Sequence, residues 1–185
     1  FKKRFQGKQS AFIGIDEITH CPYNKFKYLM TINRNVHHLR SRFWGTCNPD
    51  PDSWVAKFIE WWIDEDGYPI PERNGVLRYC YMPSDDVNEI YWGDTREEVW
   101  EQCKDEILRH WKPKFSKYGT PAELSIKSVA FVEAKLEDNK KLMASDPGYI
   151  ANLMNQNEEQ QSRDLDDELE GVTDDAQVDD NFVSR

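Results

Sequence analysis

Long apolar runs are missing from this sequence. Nowhere do about 18 apolar residues follow one another, so neither a membrane-spanning helix nor the apolar core of a secretory leader is expected. Cysteine is scarce as well: the four residues Cys21, Cys47, Cys80 and Cys103 are widely scattered and form no C-x-x-C pair. That spacing argues against a zinc site and points to free thiols in a reducing, intracellular setting. Positive charge is also in deficit, with a net charge of −10, but the deficit is local. Residues 157–185 hold eleven Asp or Glu against two Arg, which leaves the first 156 residues close to neutral. What the chain has in quantity is aromatic bulk: 13% of its 185 residues, seven of them Trp, enough for a single domain with a sizeable core.

The stretch around which the rest is arranged is Ala11-Phe12-Ile13-Gly14-Ile15-Asp16-Glu17. A short apolar run closed by two adjacent acids reads as a buried parallel strand that delivers carboxylates to the carboxyl edge of an open α/β sheet, where such folds carry out chemistry. Physics divides the labour: Asp16 at the strand end can hold Mg²⁺, directly or through water, and Glu17 can orient and deprotonate an attacking water. This is the Walker B pattern of nucleoside triphosphatases. The same residues read equally well as a strand that ends in a solvated acidic turn. A phosphate loop, G-x-x-x-x-G-K-[ST], would precede such a strand in a complete nucleotide-binding domain, and none is present. Without its amides and lysine the polypeptide by itself is expected to bind ATP weakly or not at all. Phe1 to Ser10 opens on Phe, carries the basic cluster Lys2-Lys3-Arg4 and shows no cap or strand pattern, so it reads as the continuation of a longer segment.

Downstream, Tyr23 to Asn33 carries Phe26, Leu29 and Met30 at helical spacing and predicts a helix lying on the sheet. His20-Cys21 and His37-His38 are adjacent pairs with no third ligand spaced to complete a metal site, and they read as loop histidines. Arg40 to Cys47 predicts the next strand. It runs into Asn48-Pro49-Asp50-Pro51, and a strand stopping there at the same edge as Asp16 and Glu17 would put Thr46 and Asn48 near a γ-phosphate, able to report whether it is present. An Asx turn in which Asn48 serves its own backbone is the alternative. Arg40 and Arg42 belong to a basic first part that also includes Lys8, Lys25, Lys27 and Arg34, suited to a polyanion or to simple solvation. Ser53 predicts a helix start, with an aromatic face from Trp54 through Trp62 to Ile63, as core or subunit interface more readily than as a base-stacking platform. Val76 to Met82 and Glu89 to Trp92 predict a hairpin inserted between core elements. Thr95, with Glu98 in capping-box position, predicts a long helix ending before Pro113. Lys127 to Ala134 reads as a last strand of the central sheet, and Asp146-Pro147 as the start of a last helix.

With those residues in view, Phe12 to His20 followed by Gly45-Thr46-Cys47-Asn48-Pro49-Asp50 resembles the large subunit of tailed-bacteriophage terminases. The similarity continues through Trp61 to Arg73, Ala134 to Asn139 and Asp146 to Leu153, and so covers residues 1 to about 156. The resemblance implies a three-layer P-loop NTPase-like α/β fold of the ASCE or RecA-like kind, with a mostly parallel sheet and an inserted β-hairpin. This chain would supply its later portion as a partial ATPase domain over 1–156. It implies ATP and Mg²⁺ as cofactors, Asp16 as metal acid, Glu17 as catalytic carboxylate, and Thr46 to Pro49 as the motif coupling hydrolysis to DNA movement. Arg40 and Arg42 become candidates for DNA contact or for reaching a neighbouring copy's ATP site.

The implied partners are double-stranded DNA, a capsid portal protein, the small terminase subunit and further copies of the chain in a ring. The implied setting is the host cytoplasm, with no membrane. Terminase large subunits continue into a nuclease domain with two-metal carboxylates, for which residues 157–185 offer no core; they read as an acidic, flexible tail. Two other classes stay open. One is a different P-loop motor, such as a helicase, because Asp-Glu at a strand end serves many of them. The other is a non-enzymatic interaction module, favoured by the lack of a phosphate loop.

Overall fold

The computed structural model describes residues 1–37, 39–47, 50–135, 138–145 and 148–149. The chain divides into two units, Phe1–Glu133 and Ala134–Arg185. The first opens with a short helix, α1 (Lys2–Phe5), in a stretch whose sequence shows no cap. Strand β1 (Phe12–Ile15) follows, then a 3-10 turn (Ile18–His20), helix α2 (Tyr23–Ile32) and strand β2 (Arg42–Gly45). The two strands pair in parallel, Phe12 opposite Arg42 through Ile15 opposite Gly45. Parallel neighbours need a crossover, and α2 is that crossover. Its buried residues Tyr23, Phe26, Leu29 and Ile32 form one stripe at helical spacing, and the Phe26 ring meets Phe43 of β2 edge-on at 4.9 Å.

Helix α3 (Trp54–Ile59) starts where Ser53 predicts, the Ser53 hydroxyl accepting the Ala56 N–H at 3.3 Å. It stops four residues short of Ile63. Asp64 accepts the N–H groups of Asp66 and Tyr68, and Gly67 at φ +92° closes the turn, so local side-chain capture wins over helix continuation. The aromatic face of this segment is core. Trp54 packs on Phe26 with ring centroids 5.0 Å apart. Trp62 is 1% exposed against Trp92 and donates its indole N–H to the Val76 carbonyl at 2.9 Å.

Strands β3 (Arg78–Tyr81) and β4 (Tyr91–Gly93) form the predicted antiparallel hairpin. Helix α4 (Arg96–His110) begins at Thr95, whose hydroxyl accepts the Glu98 N–H at 3.1 Å, and ends before Pro113 as its sequence requires. A capping box at Thr120 and Glu123 starts a second, short helix, α5 (Pro121–Ser125). Strand β5 (Lys127–Val129) then pairs antiparallel with β3, giving the order β4-β3-β5. This corrects its expected place in the central sheet with β1. Ile126, 2% exposed, packs with Val99, Cys103 and Ile107 of α4, which holds β5 beside β3.

The chain is therefore mixed α/β, with one two-stranded parallel sheet and one three-stranded antiparallel sheet among the described residues; the mostly parallel sheet is not what they form. For the β3-β4 pair the cause is connection length, since the link between these two strands is too short for a crossover. The tip of the hairpin packs on the first core through Met82, Val87 and Ile90. Lys27 of α2 holds it there, its ammonium donating to the carbonyls of Met82 and Ser84 beside Asp85. In the second unit the described residues include helix α6 (Lys140–Ser145). The expected helix start at Asp146-Pro147 and the acidic tail lie outside the described residues.

Candidate active site

The site is built from the carboxyl ends of β1 and β2, which the parallel register brings to one edge. On the covered face Ile13, Ile15 and Phe43 are half-buried, with Ile15 and Phe43 packed against the core under α2, while Phe12 and Trp44 lie on the open face, 54% and 63% exposed. Beyond Ile15 the chain turns sharply. Ile18 tucks under Gly45, where a Cβ would stand 2.7 Å from Ile18 Cδ1; glycine is what lets the turn close on β2. Glu17 sits at φ +51°, the one non-glycine residue with positive φ among the described residues. A left-handed conformation on a side chain of this size stores roughly 1 kcal/mol or more and persists only where neighbours over-determine it.

Thr46 is the neighbour that does so. Its N–H donates to the Ile15 carbonyl at 3.0 Å and its carbonyl accepts the Ile18 N–H at 2.8 Å. Its hydroxyl donates to Asp16 Oδ1 at 2.5 Å and accepts the Glu17 N–H at 3.2 Å. One residue just beyond β2 thus fixes four consecutive residues, Ile15 at the end of β1 and Asp16, Glu17 and Ile18 after it. The Glu17 carboxylate in turn meets His20 Nδ1 at 3.0 Å, across the 3-10 turn.

The predicted residues Asp16, Glu17 and Thr46 are therefore brought together at one edge, with both carboxylates exposed to solvent. Asn48 and Pro49 lie outside the described residues. Arg42 lies elsewhere: it opens β2, opposite Phe12, three residues from Gly45, so it stands about 10 Å along the strand from the acidic edge. Arg40 precedes it, and both are exposed. His20, set aside by the sequence as a loop histidine, is the member of the group that was missed; its spacing of three from Glu17 is the signal that points to it. No cluster of three metal-ligand side chains occurs among the described residues.

An exposed carboxylate with one oxygen held by a hydroxyl keeps its other oxygen for a hard cation, and a second carboxylate one residue on can accept a proton from water. Thiol chemistry fits the edge poorly. Burial pushes the Cys47 thiol up, and burial outweighs the Lys25 ammonium in raising Cys21, so both favour the protonated form.

A family model described as "Terminase large subunit, T4likevirus-type, N-terminal" matches residues 2–177. Neither a curated protein nor a solved structure matches.

Proposed function

This chain belongs to the family of terminase large subunits of the T4-like type, and from that premise we propose that its acidic edge is the hydrolytic half of the ATP site that drives viral DNA packaging. Membership itself carries a general role in DNA packaging and, in general terms, ATPase activity. The finer reading rests on one observation, the grip of Thr46 on both Asp16 and Glu17. A coupling residue must sense the metal acid and the base together, and a hydroxyl bonded to one side chain and to the other's backbone is placed to do that.

In this reading the strand–helix–strand unit β1-α2-β2 is part of a P-loop NTPase sheet, specifically the later portion of the ATPase domain. The phosphate-cradling loop comes from a segment other than these 185 residues. Asp16, with its remaining oxygen free, would hold Mg²⁺, which when bound neutralises phosphate charge. Glu17 orients a water; as that water's oxygen bonds to the γ-phosphorus, the bond to the β–γ bridging oxygen breaks. The electron pair leaves with ADP, and the water's proton passes to Glu17. Thr46, with Asn48 beyond it, relays the presence or loss of the γ-phosphate into movement of DNA. The partners are double-stranded DNA, a portal protein, the small subunit and further copies in a ring, in the host cytoplasm. Arg40 and Arg42 remain candidates for a DNA backbone or a neighbouring copy. At the opposite end of β2 from Thr46, Arg42 fits a neighbour's site or DNA better than the ATP held by its own edge.

The test is Glu17→Gln in the full-length large subunit. Hydrolysis should fall by at least about 100-fold while ATP still binds; retained turnover would show that the base lies elsewhere. A second reading, an interaction module without catalysis, is favoured by the missing phosphate-loop motif. Under it, the polypeptide added to an intact packaging motor inhibits packaging in proportion to its concentration.

A further inference from the structure

We propose that His20 is a positioning residue for Glu17. Its Nδ1–H holds one oxygen of the carboxylate, leaving the other to face the attacking water. The inference rests on the reading of Glu17 as the base, and it adds a residue that the acidic motif does not assign.

Both ends of the contact are anchored by backbone. Glu17 is fixed by its own N–H on the Thr46 hydroxyl and by the Ile18 N–H on the Thr46 carbonyl. His20 is fixed to it by the 3-10 turn, in which the His20 N–H donates to the Glu17 carbonyl at 3.0 Å and the Cys21 N–H to the Ile18 carbonyl at 2.9 Å. The turn is held against the protein by Ile18, 7% exposed, and by the Cys21 carbonyl, which accepts the Trp54 indole N–H at 2.6 Å. A side chain leaving this turn at Glu17 and one leaving it three residues later meet at 3.0 Å.

Stability does not explain the pair. The side chains are 62% and 77% exposed, and an ion pair at such a site contributes little to folding. Nor does the backbone gain from it: a glutamate held at positive φ is a cost that the fold bears, and strain of this kind gathers where a side chain must point in one direction. The hydrogen bond needs only a proton on Nδ1, which both the cationic imidazole and one neutral tautomer provide. A carboxylate restrained at one oxygen loses rotamer freedom before water arrives, which lowers the entropic part of the barrier.

The experiment uses the full-length large subunit and, for the contact alone, this chain. His20→Ala should lower kcat for ATP hydrolysis by roughly 10- to 100-fold with KM for ATP nearly unchanged. His20→Asn should recover most of the loss, because its Nδ2 occupies the place of Nδ1, whereas His20→Gln should not. Thermal unfolding of all three should match the parent. In the isolated chain, the His20 ring nitrogen resonances should shift on Glu17→Gln. Unchanged kcat in His20→Ala, or equal activity of the Asn and Gln variants, overturns the positioning role. If Glu17→Gln itself retains turnover, the reading of the base has failed instead, so the two failures are told apart.

Discussion

Glycine at position 45 shows how much of the site depends on one missing atom. The added methyl of Gly45→Ala would meet Ile18 at its Cδ1, Cγ2 and Cβ, the last two at 3.0 and 3.1 Å, and Cβ has no rotamer by which to withdraw. Overpacking of this kind costs about 1–3 kcal/mol. Urea unfolding should show a lower midpoint for Gly45→Ala, and Ile18→Val in the double variant should restore part of the loss because it removes Cδ1. The displaced turn is the one that carries Glu17 and His20, so ATPase activity of the full-length subunit should fall further than stability alone requires. None of this was legible residue by residue. The sequence shows two acids after an apolar run and a threonine after another. It does not show that the hydroxyl of Thr46 would take Asp16 and the Glu17 N–H together, since side-chain hydrogen bonds between residues far apart leave no periodic trace.

Elements were easier to read where periodicity and caps agreed. The stripe of α2, the Thr95 start of α4 and the two short runs that pair as β3 and β4 are local patterns, and local patterns survive folding. The capping box at Thr120 was equally visible, with Pro121 at the first helical position, and would have given α5. β5 was misplaced for a different reason. An apolar run states that a strand is buried but not beside which neighbour, and Ile126 settles that through α4. The caps carry measurable weight: α4 supplies Val99, Cys103 and Ile107 to the second core, so loosening its first turn weakens more than the helix. Thr95→Ala should lower stability by about 1 kcal/mol, read as a shifted urea midpoint at constant slope, and Thr95→Ser should restore most of it.

At the scale of the whole molecule, alkali should probe the integrity of the cores. Cys80 is fully buried between β4 and β5, and burial pushes its thiol up to about 12, with Lys127 and Arg78 pulling only weakly the other way. Between about pH 9 and 12 the unfolded chain has released this proton while the folded chain keeps it, so the native state binds more protons and stability falls as pH rises. The slope from this group approaches about 1.4 kcal/mol per pH unit. Unfolding midpoints at pH 8.5 and 10.5, chosen as about the two sides of the onset, should diverge more for the parent than for Cys80→Ala.

The uncovered side of β1 and β2 has an optical consequence. Trp44 lies 63% open to solvent two positions before Thr46, whereas Trp62 is 1% open. Iodide would therefore extinguish the emission of the first indole long before that of the second, and anything settling over that sheet would shield it. The strand that ends at the acidic edge carries its own fluorescent gauge of occupancy, readable without a label.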